Sequence, residues 1–230
     1  MIILKPGTYS DNLRINTHDL EIRSESGNPD DTIIKAKNTN NHVLTLQAND
    51  LKISGLELTG ANGYAGICLS ACNNCTIENN RVLSNGYGIY LLNSQGNILS
   101  NNKVTKNGEY GILFSTAKSN ILSGNTVSNN NGRGIHIGTS DGNTLSGNTI
   151  SSNGIYGLFV CPRSDDNRVF NNYFNNNVNA EIENEQETPI IMKKPKARIL
   201  LAALIWQETF GQNLMERVFQ KQQLTLMEMV

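Results

Sequence analysis

The sequence predicts an all-β protein, a single-stranded parallel β-helix with about seven coils of 22–24 residues each. Three observations lead to this prediction. A pattern of that length recurs through the middle of the chain, asparagine accumulates within it, and short stretches alternate apolar and polar residues with the period of a strand. A unit this short cannot bury its own apolar face, so stacked neighbours must cover it.

The first 48 residues form the irregular part of the predicted solenoid. Short apolar stretches such as Leu20-Glu-Ile22 and Val43-Leu-Thr-Leu46 fit one or two coils, but the repeat is loose there. Residues 49–184 carry the regular coils. We therefore assign residues 1–184 to one β-helix domain.

Two asparagine columns mark the regular coils. Of the 35 asparagines, 26 lie between residues 71 and 184, which is the region of the repeat. The first column comprises Asn80, Asn102, Asn125, Asn148 and Asn172, and the second comprises Asn85, Asn107, Asn130, Asn153 and Asn177. Asparagine tolerates the left-handed backbone of a tight corner, and stacked amides can bond to one another. We predict that the first column forms a structural ladder.

The composition changes at the C-terminal tail, residues 185–230. This segment has one Gly and one Asn, but four of the five Met and the only Trp. One interpretation is a helix or disordered segment that caps the solenoid. The interpretation we favour is translation out of frame, because codons can be chosen so that a frame shifted after Asn184 resembles the sequence following the last coil in related proteins.

Charge and hydropathy exclude two classes of partner. The chain has 19 basic and 20 acidic residues and a formal net charge of −1, so a nucleic-acid-binding surface is not expected. No run of 18 apolar residues occurs, so no membrane span is expected.

Lys5-Pro-Gly-Thr-Tyr9, Asn12-Leu-Arg-Ile15 and the Asn-x-Ile/Leu-x-x-Asn coils resemble the right-handed parallel β-helix proteins of the pectin-lyase-like superfamily. Within it they resemble the NosD-like group of carbohydrate-binding and sugar-hydrolase (CASH) domains, especially archaeal cell-surface versions. The resemblance implies a right-handed fold and a cell-surface or extracellular location. It leaves the chemistry open, because the superfamily includes lyases, hydrolases, epimerases, adhesins and copper-site maturation factors. We expect no signal peptide in the N-terminal residues, and the sequence leaves open whether Met1 is the true start.

One predicted outward column is a candidate carbohydrate-binding site. Tyr90, His136 and Phe159 share it with Cys68 and Leu113. Rings on neighbouring coils can stack on sugars in a shallow groove. The alternative is an apolar strip that a loop or partner covers. The sequence places no carboxylate in this column.

A second column contains the weak catalytic candidates Asp141, Asp165 and Lys118. Paired carboxylates are what a glycosidase requires. Together with Asp166, the two aspartates would alternatively form a calcium site, the one cofactor that we consider. The simpler interpretation is that these residues are solvated turn residues.

The cysteines and histidines give little support for other metals. Cys72-Asn-Asn-Cys75 has CxxC spacing, but Cys75 takes the place of an asparagine of the repeat, which favours packing over metal or redox chemistry. The copper-handling branch of the superfamily would need Met and His ligands. Residues 2–184 contain no Met and only His18, His42 and His136.

Three functions follow from these observations. The first is a non-catalytic exported or cell-surface protein that binds polysaccharide or other envelope components. The second is a polysaccharide lyase or glycoside hydrolase, and the third is a truncated, frameshifted remnant without selected function. The shallow, nearly uncharged faces favour binding over catalysis. Open strand edges at the last coil also predict end-to-end self-association.

Overall fold

The computed structural model of the chain describes residues 1–183 and confirms the predicted all-β parallel β-helix. Its strands wind into eight coils, each of which contributes one strand to each of three parallel sheets. This is one coil more than the sequence predicts, because residues 2–46 complete two coils without the asparagine columns. The tail assigned to residues 185–230, with both interpretations of it, lies outside the described residues.

The strands of each sheet follow one another every third element. Sheet A contains β1 (Ile2–Leu4), β4 (Glu21–Ser24), β7 (Lys52–Ser54), β10 (Thr76–Glu78), β13 (Ile98–Ser100), β16 (Ile121–Ser123), β19 (Thr144–Ser146) and β22 (Arg168–Phe170). Sheet B contains β2 (Gly7–Ser10), β5 (Thr32–Lys35), β8 (Glu57–Thr59), β11 (Arg81–Leu83), β14 (Lys103–Thr105), β17 (Thr126–Ser128), β20 (Thr149–Ser151) and β23 (Tyr173–Asn175). Sheet C contains β3 (Leu13–Ile15), β6 (Leu44–Leu46), β9 (Ala65–Ser70), β12 (Tyr87–Leu92), β15 (Tyr110–Ser115), β18 (Arg133–Gly138), β21 (Leu158–Val160) and β24 (Ala180–Ile182).

The core consists of apolar side chains that stack on their equivalents in the next coil. In sheet A, Ile53 pairs in register with Ile77, which pairs with Leu99, and none of the three has exposed surface. Burial of such side chains supplies most of the stabilisation of a solenoid, since each coil covers its neighbours. No helix among residues 1–183 is long and apolar enough to cross a membrane.

Asparagine ladders run along all three corners. The corner between sheets A and B carries Asn80, Asn102, Asn125, Asn148 and Asn172; the corner between B and C carries Asn85, Asn107, Asn130, Asn153 and Asn176; the corner between C and A carries Asn97, Asn120, Asn143 and Asn167. The second ladder ends at Asn176 instead of Asn177. Asn176 follows Asn172 by four positions, whereas Asn153 follows Asn148 by five, so the segment between the two ladders is one residue shorter in the last coil.

Candidate functional site

The candidate column of rings lies on the outer face of sheet C. Tyr90 in β12 pairs in register with Leu113 in β15, which pairs with His136 in β18, and His136 pairs with Phe159 in β21. The imidazole of His136 contacts the ring of Phe159 edge-on, with a centroid distance of 5.2 Å. The three predicted residues therefore lie along one line of the sheet.

A second column of rings, which the sequence analysis missed, lies beside the first. It comprises the rings of Tyr87, Tyr110 and Tyr156, with Arg133 at the position between the last two. Each of these four residues comes directly before a glycine of the repeat. The rings of Tyr87 and Tyr110 stack at 5.5 Å, and Tyr110 meets His136 edge-on at 5.1 Å. The signal in the sequence was the recurring Tyr-Gly-Ile of two coils. We call the two columns together the aromatic face.

Arg133 stands at the centre of the aromatic face. Its guanidinium carbon lies 3.9 Å from the centroid of the Phe159 ring and 5.7 Å from those of Tyr110 and Tyr156. Nη1 donates to Nδ1 of His136 at 3.0 Å and to the hydroxyl of Tyr110 at 3.3 Å. Within residues 1–183 this cation forms no ion pair, and its buried Nε has no hydrogen-bond partner. The described residues therefore contact this charge through aromatic rings, an imidazole and a hydroxyl, without a carboxylate.

Burial and Arg133 together determine the protonation of His136. Burial and then the neighbouring guanidinium lower the pKa of His136 to about 4, so the imidazole is neutral near pH 7. Because arginine can only donate, Nδ1 must accept, and Nε2 carries the proton that faces the Sγ of Cys161 at 3.1 Å. Burial raises the pKa of the Cys161 thiol, so this Cys–His pair is uncharged.

The expectation that the column of Tyr90, His136 and Phe159 contains no carboxylate is wrong at Glu181, and a second carboxylate, Glu109, lies beside the other column. Glu109, exposed at the corner before β15, forms a hydrogen bond with Tyr87, and its charge helps burial to raise the pKa of that phenol. Glu181 in β24 pairs in register with Phe159. Both residues escaped the sequence analysis because the first lies in a turn and the second follows the last regular unit.

The column of Lys118, Asp141 and Asp165, which we call the acidic column, lies at the corner after sheet C. Nζ of Lys118 is 2.9 Å from Oδ2 of Asp141, and the backbone N–H of Asp165 donates to Oδ1 of Asp141 at 3.0 Å. The hydrogen bond from Lys118 lowers the pKa of Asp141, which keeps that carboxylate ionised. Asp166 occupies a left-handed turn position with φ of 56°. The contacts of Asp141 are those of a structural ion pair.

Three cysteines are buried structural residues. The Cys72 and Cys75 side chains have no exposed surface, and Cys68 is nearly as buried. The thiol of Cys72 donates to the carbonyl of Leu46 at 2.8 Å. The backbone N–H of Cys75 donates to Oδ1 of Asn97, so Cys75 ends the ladder between sheets C and A.

These features define a parallel β-helix with an aromatic, arginine-bearing outer face. The fold is similar to that of an alginate lyase from Paenibacillus sp. str. FPU-7, at 19% identity and a TM-score of 0.64, over 74% of this chain and 67% of that one. A pectate lyase, Pel9A, is similar at 12% identity and a TM-score of 0.64, over 84% and 70% of the two chains. A double mutant of the periplasmic alginate epimerase AlgG is similar at 17% identity and a TM-score of 0.56, over 84% and 50%.

The family model described as periplasmic copper-binding protein (NosD) matches residues 7–195, and the chain belongs to this family. The predicted resemblance to NosD-like proteins with the right-handed pectin-lyase-like fold is thereby confirmed. The sequence matches none of the curated proteins with which it was compared. At identities below one fifth, the similar structures show the fold alone.

The family description implies copper, but the described residues do not fit a copper site. Across residues 1–183, no three His, Cys, Asp or Glu side chains are grouped so that they could hold a metal ion, and this includes the acidic column. His136 and Cys161 are two suitable donors in contact. Nε2 of His136 carries a proton, however, and a cation there would lie beside the charge of Arg133.

Proposed function

We propose that the aromatic face of sheet C binds an acidic polysaccharide without cleaving it. The observation that carries this proposal is Arg133, a half-buried cation that no carboxylate of the described residues neutralises. A ligand carboxylate would supply the missing charge through a charge-assisted hydrogen bond, about twice as strong as a neutral one.

The rings around Arg133 support a sugar ligand. Parallel strands are spaced by about 4.8 Å, so the two columns form a strip of rings along the axis of the solenoid. Tyr87, Tyr90 and Tyr110 are each partly exposed, so part of each side chain is open to a ligand. Rings of this kind contact the apolar faces of pyranoses, and their hydroxyls bond to sugar hydroxyls.

The protonation of His136 supports binding over catalysis. Lyases and epimerases must remove a carbon-bound proton, and general-base catalysis is most efficient when the pKa of the base is near the working pH. A pKa of about 4 makes His136 a weak base, and its Nδ1 already accepts from Arg133. Neither the imidazole nor the neutral thiol of Cys161 is prepared to attack a substrate.

One observation favours a lyase or epimerase as the second candidate. Arg133, Tyr110 and His136 are in mutual contact, and a cation beside a phenol and an imidazole could neutralise a uronate and exchange its proton. The similar solved structures include enzymes of these two kinds. Incubation with polyuronates, followed by the ultraviolet absorbance of unsaturated chain ends, tests for a lyase. Activity that Tyr110→Phe abolishes would establish this second function instead.

Affinity electrophoresis tests the binding proposal. Native gels that contain polygalacturonate or alginate should retard the protein, and gels that contain neutral dextran should not. Arg133→Ala should raise the dissociation constant obtained from the retardation about tenfold, as expected when one charged contact is lost. The control is Arg168→Ala, an exposed arginine of β22, which should behave like the parent protein. Equal retardation of both variants, or retardation by dextran, would contradict the proposal.

We also propose that the protein works outside the cytoplasm. The description of its family as periplasmic supports this location, as does the acidic polysaccharide that we assign as ligand. Immunodetection after cell fractionation should find it in the envelope or external fractions, and recovery in the cytoplasmic fraction would contradict this part of the proposal.

A further inference from the structure

An open cavity of about 410 Å³ lies at the corner between sheets A and B. The loop of residues 25–31, between β4 and β5, forms one wall with Pro29 and Asp30. The other wall comes from the corner residues Asn79 and Asn101 and from Arg81 and Lys103 of sheet B.

Two ion pairs attach the loop to the solenoid. Nη1 of Arg81 pairs with Oδ1 of Asp30, and its Nε lies 3.2 Å from Oε2 of Glu57. The guanidinium therefore joins a loop of the second coil to β8 and β11. Because two carboxylates match its charge, Arg81 shapes the cavity and leaves ligand recognition to its neighbours.

Three polar side chains of the cavity are without partners. Lys103 is exposed and forms no ion pair within residues 1–183. Asn79 and Asn101 are exposed at left-handed corner positions, with φ of 54° and 55°. No hydrogen bond from either side-chain amide to another described residue is formed, in contrast to the buried ladder amides of Asn80 and Asn102 beside them.

We propose that this cavity binds a small anionic sugar, a pyranose that carries a carboxylate or a phosphate. The Lys103 ammonium would pair with the anionic group. The amides of Asn79 and Asn101 both donate and accept, so they match sugar hydroxyls, and Asp30 can accept from a further hydroxyl. The cavity has no aromatic wall and lies outside sheet C, so this site is independent of the proposed function.

The repeat itself supplies a variant that removes the amides and keeps the turn. Glycine occupies the same corner column in three other coils, at Gly55, Gly124 and Gly147, with φ of 66–68°. Asn79→Gly and Asn101→Gly should therefore keep the left-handed backbone, because glycine adopts it without strain. Thermal unfolding should confirm that the double variant is folded.

Calorimetric titration with galacturonate, glucose 6-phosphate and glucose tests the proposal. Galacturonate, glucose 6-phosphate or both should bind, glucose should bind at least about tenfold more weakly, and the stronger anion identifies the group that Lys103 takes. Lys103→Ala and the double glycine variant should each weaken anion binding about tenfold. The control is Lys37→Ala, an exposed lysine elsewhere, which should bind as the parent does. Arg133→Ala is titrated as well, to separate this site from the aromatic face.

The proposal is overturned if neither anion binds, if glucose binds as well as the anions, or if the folded Lys103 and asparagine variants bind unchanged. Loss of binding in Arg133→Ala instead would place the ligand on the aromatic face. That outcome would leave the proposed function standing while this site is rejected.

Discussion

At the scale of the residue, burial and one neighbour together determine the chemistry of His136. An imidazole in water is half protonated near pH 6.5, but burial and the Arg133 charge shift the pKa in the folded protein to about 4. The same guanidinium fixes the tautomer through Nδ1. The sequence predicts an outward ring here but not its charge, because the charge depends on burial and on a residue that stands three positions earlier, in another column.

Stability should therefore depend on pH through His136. In the unfolded chain His136 binds a proton below about pH 6.5, whereas in the folded protein it binds one only near pH 4. The contribution of the neutral imidazole is therefore complete above pH 6.5 and is lost as the pH falls towards 4. After allowance for solvent screening of this half-buried group, we expect a loss of about 1–2 kcal/mol.

Urea unfolding of the parent and of His136→Gln at pH 7 and at pH 4.5 measures this effect. Other titrating groups are common to both proteins, so the difference between their unfolding free energies isolates the imidazole. That difference should be larger at pH 7. A difference that is the same at both values, or larger at pH 4.5, would contradict the assigned protonation.

At the scale of the element, the asparagine ladder is the unit that sets the spacing of the coils. Oδ1 of Asn125 accepts from the backbone N–H of Asn102 at 2.9 Å and from its Nδ2 at 3.0 Å. Nδ2 of Asn125 donates to the carbonyl of Leu99 at 2.8 Å and to Oδ1 of Asn148 at 2.9 Å. Each amide thus satisfies buried backbone groups of the coil below as well as its own atoms.

Replacement of one ladder residue should be costly. Asn125→Ala leaves the N–H of Asn102 buried without a partner, at about 1–3 kcal/mol, and also removes the hydrogen bonds that the Asn125 amide forms with the carbonyl of Leu99 and with the neighbouring ladder amides, at about 0.5–1.5 kcal/mol each. We expect the free energy of unfolding in urea to fall by about 2–5 kcal/mol. Asn129→Gly, at an exposed left-handed corner, is the control and should change it by less than about 0.5 kcal/mol. A similar effect of both substitutions would contradict this role.

The elements themselves were predictable from the sequence to different degrees. The strict period and the repeated asparagines identified the regular coils. Each side chain stacks on its equivalent in the next coil, so the same residue recurs in each unit. Tyr87 and Tyr110 escaped because alternation breaks where the chain leaves the corner: each points outward directly before a glycine that faces the core. The cavity could not be predicted, because it depends on a loop folding over two later coils.

At the scale of the whole molecule, the first coil differs from the six coils in the middle. Among residues 1–183, strands β1, β2 and β3 each pair with only one neighbour. Ile2 and Tyr9 lie in register with the buried Ile22 and Ile34, yet 44% and 36% of their surface is exposed. A solenoid gains its stability from neighbouring coils, so a coil with one neighbour is the least stabilised.

Hydrogen exchange should show this difference directly. We expect the amides of β1 to exchange faster than those of β13 in the middle of sheet A, since local opening costs less at an open end. The measurement should be repeated at several protein concentrations. The sequence also predicts end-to-end association, and contact through this end would make protection of β1 rise with concentration. Uniform protection along sheet A at low concentration would contradict the prediction.

The in-register ladders also affect how such a chain can evolve. Each middle coil presents the same side-chain amides to one neighbouring coil and the same backbone carbonyls to the other. Equivalent residues, such as Asn102 and Asn125, are 23 positions apart in the sequence. A tandem duplication of one unit of the gene would therefore insert a coil that fits both neighbours. The same event would add one position to each column of the aromatic face, so the surface that we propose to bind polysaccharide would lengthen by one coil.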